Sequence, residues 1–287
     1  MKATQITLAL VAAFAAVAVQ AQSLTKPGVE AGNINARGTV TGAITQIGGG
    51  AFSISNGGGR LLQAGSTAIG GQNARVGGVA GVVSANQINA NGTVTGTITQ
   101  LRVGALEGAN EQLVSVGSVS NTDANNINAT GNVAGIVTQV GGSVASGLNA
   151  QVLQVGGVDE VRANNISARG SLNGLSSQIA VEGAGLGNQQ IATIGGARRV
   201  NANNLNLDGT LNGGLFQTNV SVSGVMNTQI ANIGGAHNVR ARNITAQGSV
   251  NGAVTQVSAS AGSSLNLQSA VVGGVQGADV SGNDEEK

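Results

Sequence analysis

The chain has 287 residues, of which 13 are Lys or Arg, 12 are Asp or Glu and one is His. Its 48 glycines, its three phenylalanines and its lack of Tyr, Trp and Cys exclude an ordinary aromatic-filled core and a disulfide-bonded one. The formal net charge of +1 provides none of the basic footprint that nucleic acid or an anionic membrane requires.

Residues 1–21 have the composition of a signal peptide. Lys2 is followed by an apolar run over residues 6–19, and Val19-Gln20-Ala21 offers small residues for cleavage after Ala21. This run is too short to span a bilayer comfortably, and no later segment approaches the ~20 apolar residues that a span needs. We therefore expect an exported protein, secreted or displayed at the cell surface without membrane insertion, with a lead-in at residues 22–32.

One short motif, GTVTGTITQ at residues 92–100, occurs in six edited copies. The first interval between copies is longer than the other four, which are all equal, and such a fixed period argues against a disordered low-complexity chain. The period predicts an all-β fold, a β-solenoid of six imperfect ~39-residue repeats over residues 33–280. The first repeat carries fifteen extra residues, which we expect within 48–71, and 281–287 read as a polar C-terminal tail. The copies begin at Gly38, Gly92, Gly131, Gly170, Gly209 and Gly248.

Within each motif, apolar residues and glycines alternate with polar residues, which is the period of a strand with one buried face. In the copy at Gly131, the even positions include Val133, Gly135, Val137 and Gln139. Glycine inside a strand marks a bend or a close backbone approach, so we expect the six first glycines to be corner glycines. A hairpin is the competing interpretation, because Asn173-Gly174 and its equivalents are strong turn signals in three copies.

The second half of each repeat has apolar residues at every third position, such as Val152, Val155, Val158 and Val161. This spacing fits neither a straight strand nor a helix, and pairs such as Gly156-Gly157 indicate short strands broken by a corner. Each repeat therefore forms either one large coil or two coils of about twenty residues.

Certain carboxamides are as regular as the apolar residues. Like carboxamides stacked at the strand spacing of ~4.8 Å can hydrogen-bond in continuous ladders, so we predict structural ladders at these positions. One ladder comprises Gln46, Gln100, Gln139, Gln178, Gln217 and Gln256, and another comprises Asn110, Asn149, Asn188, Asn227 and Asn266. Glutamines also follow the second set by two residues, at Gln112, Gln151, Gln190, Gln229 and Gln268.

The repeat resembles two families. Its GxVxGxI pattern is similar to the strands of bactofilins, which are cytoskeletal β-helix polymers. Gly-, Asn- and Gln-rich repeats behind a signal peptide, as in Asn227–Ala241, resemble the curlin and Fap-type subunits of bacterial functional amyloid. The second resemblance implies an extracellular structural fibre with amide ladders.

The sequence gives little support for a catalytic site or a metal-binding site. His237 shares its repeat position with residues of unlike chemistry, which indicates an exposed side chain and not a triad or a metal ligand. Asp159-Glu160 is not repeated and lacks the calcium-binding nonapeptide, so a solvated turn is favoured. We predict no enzyme, no catalytic or metal residue and no cofactor. The equivalents of His237 are Ser120, Asp159, Arg198 and Gln276.

Arg198, Arg199, Arg240 and Arg242 fall on neighbouring repeats and could form a small basic stripe. Surface charge that keeps the stack soluble is the favoured interpretation, and binding of an anionic polysaccharide is the alternative.

These patterns favour a secreted structural subunit that self-assembles into extracellular fibres or a biofilm matrix through strand stacking and amide ladders. The alternative is a monomeric β-solenoid adhesin or polysaccharide-binding module at the cell surface. The expected partner is a second copy of the chain, with a surface polysaccharide as a further possibility.

Overall fold

A computed structural model describes residues 29–49, 69–262 and 265–277. In this part of the chain every regular element is a β-strand. The predicted signal peptide and the tail at 281–287 lie outside the described residues, as does most of the lead-in. The strands are β1 (Val29–Gly49), β2 (Ile69–Val76), β3 (Val79–Val116), β4 (Val119–Val155), β5 (Val158–Ile194), β6 (Ala197–Arg198), β7 (Asn201–Ile233), β8 (Ala236–His237), β9 (Arg240–Ser260), β10 (Leu265–Val272) and β11 (Val275–Gln276).

The repeats stack as parallel coils, which confirms the predicted β-solenoid. Strands β1, β3, β4, β5, β7 and β9 lie side by side, and every pairing among the described strands is parallel. Gly131 pairs with Gly170, its equivalent one full period later, and Gly170 pairs with Gly209. Pairing at the full period shows that each repeat forms one large coil, because two smaller coils would pair residues half a period apart.

The hairpin interpretation of the glycine motif is wrong. Asn173-Gly174 lies inside the continuous strand β5 and pairs in parallel with Asn212-Gly213. The strand continues here without reversing, and the alternation of inward residues persists across the glycine, because Val133, Val137 and Gln139 are all fully buried in the equivalent stretch.

The extra residues of the first repeat are not all where the sequence predicted them. Twenty positions separate Gly49 from Ile69, whereas six separate their partners Val103 and Ala109, so fourteen extra residues fall in this interval. The fifteenth lies at a bulge between Ala80 and Val83, where the partner spacing changes from 40 to 39. Residues 50–68 themselves lie outside the described part of the chain.

Small aliphatic side chains fill each coil in two separate clusters. Val119, Ile127 and Ala129 belong to the first cluster, and their equivalents stack above and below them. Each coil has two arms: the first contains the glycine motif, with Val133, and the second contains the later half of the repeat, with Leu153. Val133 and Leu153 belong to the second cluster, which lies between these two arms. This core needs no aromatic residue because the two arms lie close enough together for Val and Leu side chains to fill the space between them.

Gly131 lies where the two arms touch. A Cβ added there would lie 2.2 Å from the nitrogen of Gly156 and 2.2 Å from the carbonyl oxygen of Val116. The predicted corner glycines are therefore points of close backbone approach, and the backbone itself separates the two apolar clusters. The motif's second glycine has a different constraint, since Gly135 has a φ of 145°.

The period-three spacing of the second arm arises from a strand followed by tight turns. Gln151, Leu153 and Val155 alternate inward, and Val152 is only half-buried. The chain then turns at Gly156, with a φ of 60°, and again at Glu160, with a φ of 54°. The predicted corner at Gly156-Gly157 is confirmed, whereas the left-handed Glu160 has no signal in the sequence.

We expect Gly131→Ala to lower the free energy of unfolding by about 3 kcal/mol, because backbone atoms on two sides leave no room for a methyl group. Gly32→Ala is the matched control, because a Cβ at Gly32 meets no atom within 4 Å. The control should stay within about 0.5 kcal/mol of the parent in denaturant unfolding. Equal stability of the two variants would contradict the close approach of the two arms.

Candidate functional site

The first glutamine column forms the predicted ladder along the stack. At each step the Nε2 of one glutamine donates to the Oε1 of the glutamine in the preceding coil, over 2.6–2.9 Å. The side chains are fully buried from the first coil to the fifth. The members are Gln46, Gln100, Gln139, Gln178, Gln217 and Gln256.

A second glutamine ladder runs beside the first on the opposite arm. Its Nε2···Oε1 distances are 2.7–3.0 Å, and it has the same donor direction as the first ladder. The sequence indicated this column from Gln112 onward but missed Gln72, which follows the extra residues and lies 40 positions before Gln112. The members are Gln72, Gln112, Gln151, Gln190, Gln229 and Gln268.

The two glutamine ladders join the arms of the coil to each other. Gln139 Nε2 also lies 3.1 Å from the carbonyl oxygens of Gln112 and Val152. Gln151 Nε2 donates in turn to the carbonyl oxygen of Ile179, over 2.8 Å. These backbone acceptors fix the orientation of each amide, because a flipped group would bring two oxygens together.

The predicted asparagine ladder is also present, with the opposite donor direction. Asn149 donates to Asn188, Asn188 to Asn227 and Asn227 to Asn266, over 2.9–3.1 Å. The backbone of Asn110 lies in register with Asn149. The side chain of Asn110 lies outside the described part of the structure.

Exposed asparagines form further ladders on the outside of the stack. One runs through Asn126, Asn165, Asn204 and Asn243, at 2.7–2.9 Å. Its neighbour runs through Asn86, Asn125, Asn164 and Asn203, at 2.7–3.2 Å. Each carboxamide in such a ladder retains an N–H and an oxygen lone pair that face solvent.

Polar side chains are also buried outside the regular ladders. Ser143, Glu182 and Ser221 stack in one column, and Glu182 is 1% exposed. Neither amide atom of the fully buried Asn219 has a hydrogen-bond partner. No sequence pattern indicates this burial, because residue identity changes along these columns.

The position of His237 is not uniformly exposed, which corrects the prediction from its variability. Asp159 and Arg198, two of its equivalents, are 6% and 7% exposed. They form an ion pair between adjacent coils, with Arg198 Nη2 2.6 Å from Asp159 Oδ2. Asp159 belongs to this ion pair, so the prediction of a solvated turn is wrong for its side chain.

Arg199 extends the same ion-pair cluster towards solvent. Its Nη2 lies 2.9 Å from Asp159 Oδ2 and 3.0 Å from Glu160 Oε1. Burial lowers the pKa of Arg199, but attraction and hydrogen bonding to Asp159, with a contribution from Glu160, outweigh burial and leave the pKa raised. The predicted basic stripe therefore lacks Arg198, whereas Arg199, Arg240 and Arg242 are exposed.

No group of three potential metal-ligating His, Cys, Asp or Glu side chains occurs among the described residues. His237 Nδ1 lies 3.2 Å from Gln276 Oε1. The described residues also contain no helix long and apolar enough to cross a membrane.

Comparison with known protein families, curated proteins and solved structures finds no match. The ladders, the ends of the stack and its outer surface are therefore the features from which a function can be inferred.

We expect Gln139→Leu to destabilise the protein by about 1–3 kcal/mol, because Gln100 loses its donor and Gln178 loses its acceptor inside the core. Thr130→Ala, at a variable outward position, should change stability by about 0.5 kcal/mol or less. Thermal melts of the two variants make the comparison. Equally harmless substitutions would show that the glutamine ladder does not stabilise the stack.

Proposed function

We propose that this protein is a secreted structural subunit that assembles into extracellular fibres or a surface matrix by end-to-end stacking of its coils. The observation that carries the proposal is the open C-terminal coil. Val272 and Val275 are 44% and 49% exposed, although their equivalents in every other coil are at most 8% exposed. These core positions are exposed only because no further coil follows among the described residues.

The open coil also presents unused hydrogen-bonding groups. Gln256 and Gln268 donate to the preceding coil, so their carbonyl oxygens point towards the open end. Among the described strands, β9 pairs with β7 and has no strand on its other edge, and such edges recruit further strands. A second copy would cover the valines and pair the edge in one step.

The N-terminal coil is open over the first apolar cluster. Ile34 and Ala36 are only partly buried, as are Ile244 and Ala246 at the other end. The low net charge lets identical chains approach without strong repulsion. Both features favour association between copies of the chain.

Export and fibre formation are supported by the sequence. Residues 1–21 resemble a signal peptide, and the Gly-, Asn- and Gln-rich repeats resemble curlin and Fap-type subunits. Stacked carboxamides of the kind seen here stabilise cross-β assemblies.

One observation favours the alternative of a monomeric surface adhesin. Ile44 and Gln46 are 7% and 0% exposed, so the N-terminal end is closed over this part of the second cluster. A solenoid with a closed end is typical of proteins that remain single. The oligomeric state of the mature protein decides between the two functions.

We expect Val272→Lys to abolish assembly, because stacking would bury the new charge against the core of a second copy. Folding should be little affected, since the side chain is already 44% exposed. Val257→Lys is the matched control, because Val257 is 46% exposed on the outside of the same coil. Negative-stain microscopy and light scattering of the mature variants provide the measurement.

The proposal requires filaments from the parent and from Val257→Lys, and single particles from Val272→Lys. A parent that stays monomeric at all concentrations would contradict self-assembly and favour the adhesin. Filaments that persist in Val272→Lys would show that the open coil is not the contact.

A further inference from the structure

A shallow groove of about 570 Å³ crosses the side of the stack, next to the turns that contain the left-handed residues Glu160 and Arg199. Arg162, Asn201 and Arg240 line its floor and wall. The groove lies on the flank of the solenoid, so it stays accessible whether the coils are stacked end to end or not.

We propose that this groove binds an acidic polysaccharide, with sugar carboxylates on Arg162 and Arg240 and sugar hydroxyls on Asn201. This inference is independent of self-assembly, because it concerns the side of the stack and not its ends.

The spacing of the groove residues suits a polymer with widely separated charges. Arg162 pairs with Asn201 and Asn201 pairs with Arg240, so the three residues occupy successive coils of one column. Two steps of ~4.8 Å place the arginines roughly 10 Å apart, with an amide midway. A chain of alternating acidic and neutral groups matches this sequence of contacts.

Positive side chains outnumber negative ones at the groove, and Asp123 lies beside Arg162 in the neighbouring coil of the same column. Glu160 is the acidic residue that lines it, against Arg162, Arg199 and Arg240. The ion pairs of Arg199 with Asp159 and Glu160 hold one guanidinium in a defined position at the rim. Because Arg199 already donates through Nε and Nη2 to Asp159, the sugar carboxylates are assigned to Arg162 and Arg240. A guanidinium binds a carboxylate through two parallel hydrogen bonds.

Amides beside the groove extend the polar surface. Asn164 and Asn203 lie two residues beyond Arg162 and Asn201 on the same strands, and they belong to an exposed ladder. Their remaining donors and acceptors face solvent at each coil. Such paired donors and acceptors suit sugar hydroxyls, which both donate and accept.

A polysaccharide fits this surface better than a nucleic acid does. Phosphates along one DNA strand recur about every 3.4 Å, so a phosphate backbone would place charges against Asn201 as well as against the arginines. Nucleic-acid binding also depends on many cationic contacts, and the chain has a formal net charge of only +1.

The test measures binding of the mature protein to hyaluronate, in which glucuronate alternates with the neutral N-acetylglucosamine, by isothermal titration calorimetry at low salt. Arg162→Gln combined with Arg240→Gln should weaken binding at least tenfold. Arg37→Gln combined with Arg169→Gln is the matched control, because these exposed arginines lie in a separate column and removing them changes the net charge equally. The control should bind within about twofold of the parent.

Three further outcomes would overturn the proposal: no binding by the parent, equal losses in both double variants, or equal binding of methyl-esterified hyaluronate. Duplex DNA that competes equally per charge would show unspecific attraction and contradict it. Circular dichroism and microscopy of both double variants should match the parent, and Arg162→Gln alone should lose at least threefold.

Discussion

Successive coils stack in register, and each coil lies one period further along the chain. This stacking constrains every other feature of the structure. It places each side chain directly on its equivalents, so a residue type that cannot stack on itself must either vary or find a partner. Glutamine columns persist because carboxamides donate and accept in one direction. Charges have no such option, and the buried Asp159 therefore pairs with Arg198 of the next coil.

The core of this fold combines small aliphatic side chains with buried hydrogen bonds, whereas the core of an ordinary globular protein is rich in aromatic residues. The apolar clusters consist of Ala, Val, Leu and Ile, and between the arms two glutamine ladders take the place of larger side chains. A typical hydrogen bond contributes a net ~1 kcal/mol, but leaving a buried amide unpaired costs about 1–3 kcal/mol. The ladders therefore penalise a shifted register more than they stabilise the correct one, which gives a repetitive sequence a single alignment.

The sequence predicted the features that recur at a fixed spacing and missed those that arise between columns. The period, the alternation of inward and outward residues and the ladder from Gln46 to Gln256 could be predicted directly, because the motif that carries them occurs in six copies. Gln72 was missed because the extra residues shift it out of the regular spacing. The burial of Asp159 and Arg198 was missed because a variable position resembles an exposed one until the partners are seen side by side. Glu160 adopts a left-handed conformation without the glycine that usually announces it.

Removal of a single period shows whether one period of the sequence forms one coil. Deletion of residues 209–247 joins Asp208 to Gly248, keeps Asp159 with Arg198, and lets Gln178 stack on Gln256. We expect this variant to keep a cooperative β-sheet circular dichroism melt, with its stability lowered by about one coil and one interface. Deletion of residues 209–237 removes less than a period from the same place, breaks the register and should prevent folding. If the whole-period deletion unfolds the chain as completely as the shorter deletion, the coil is not the structural unit.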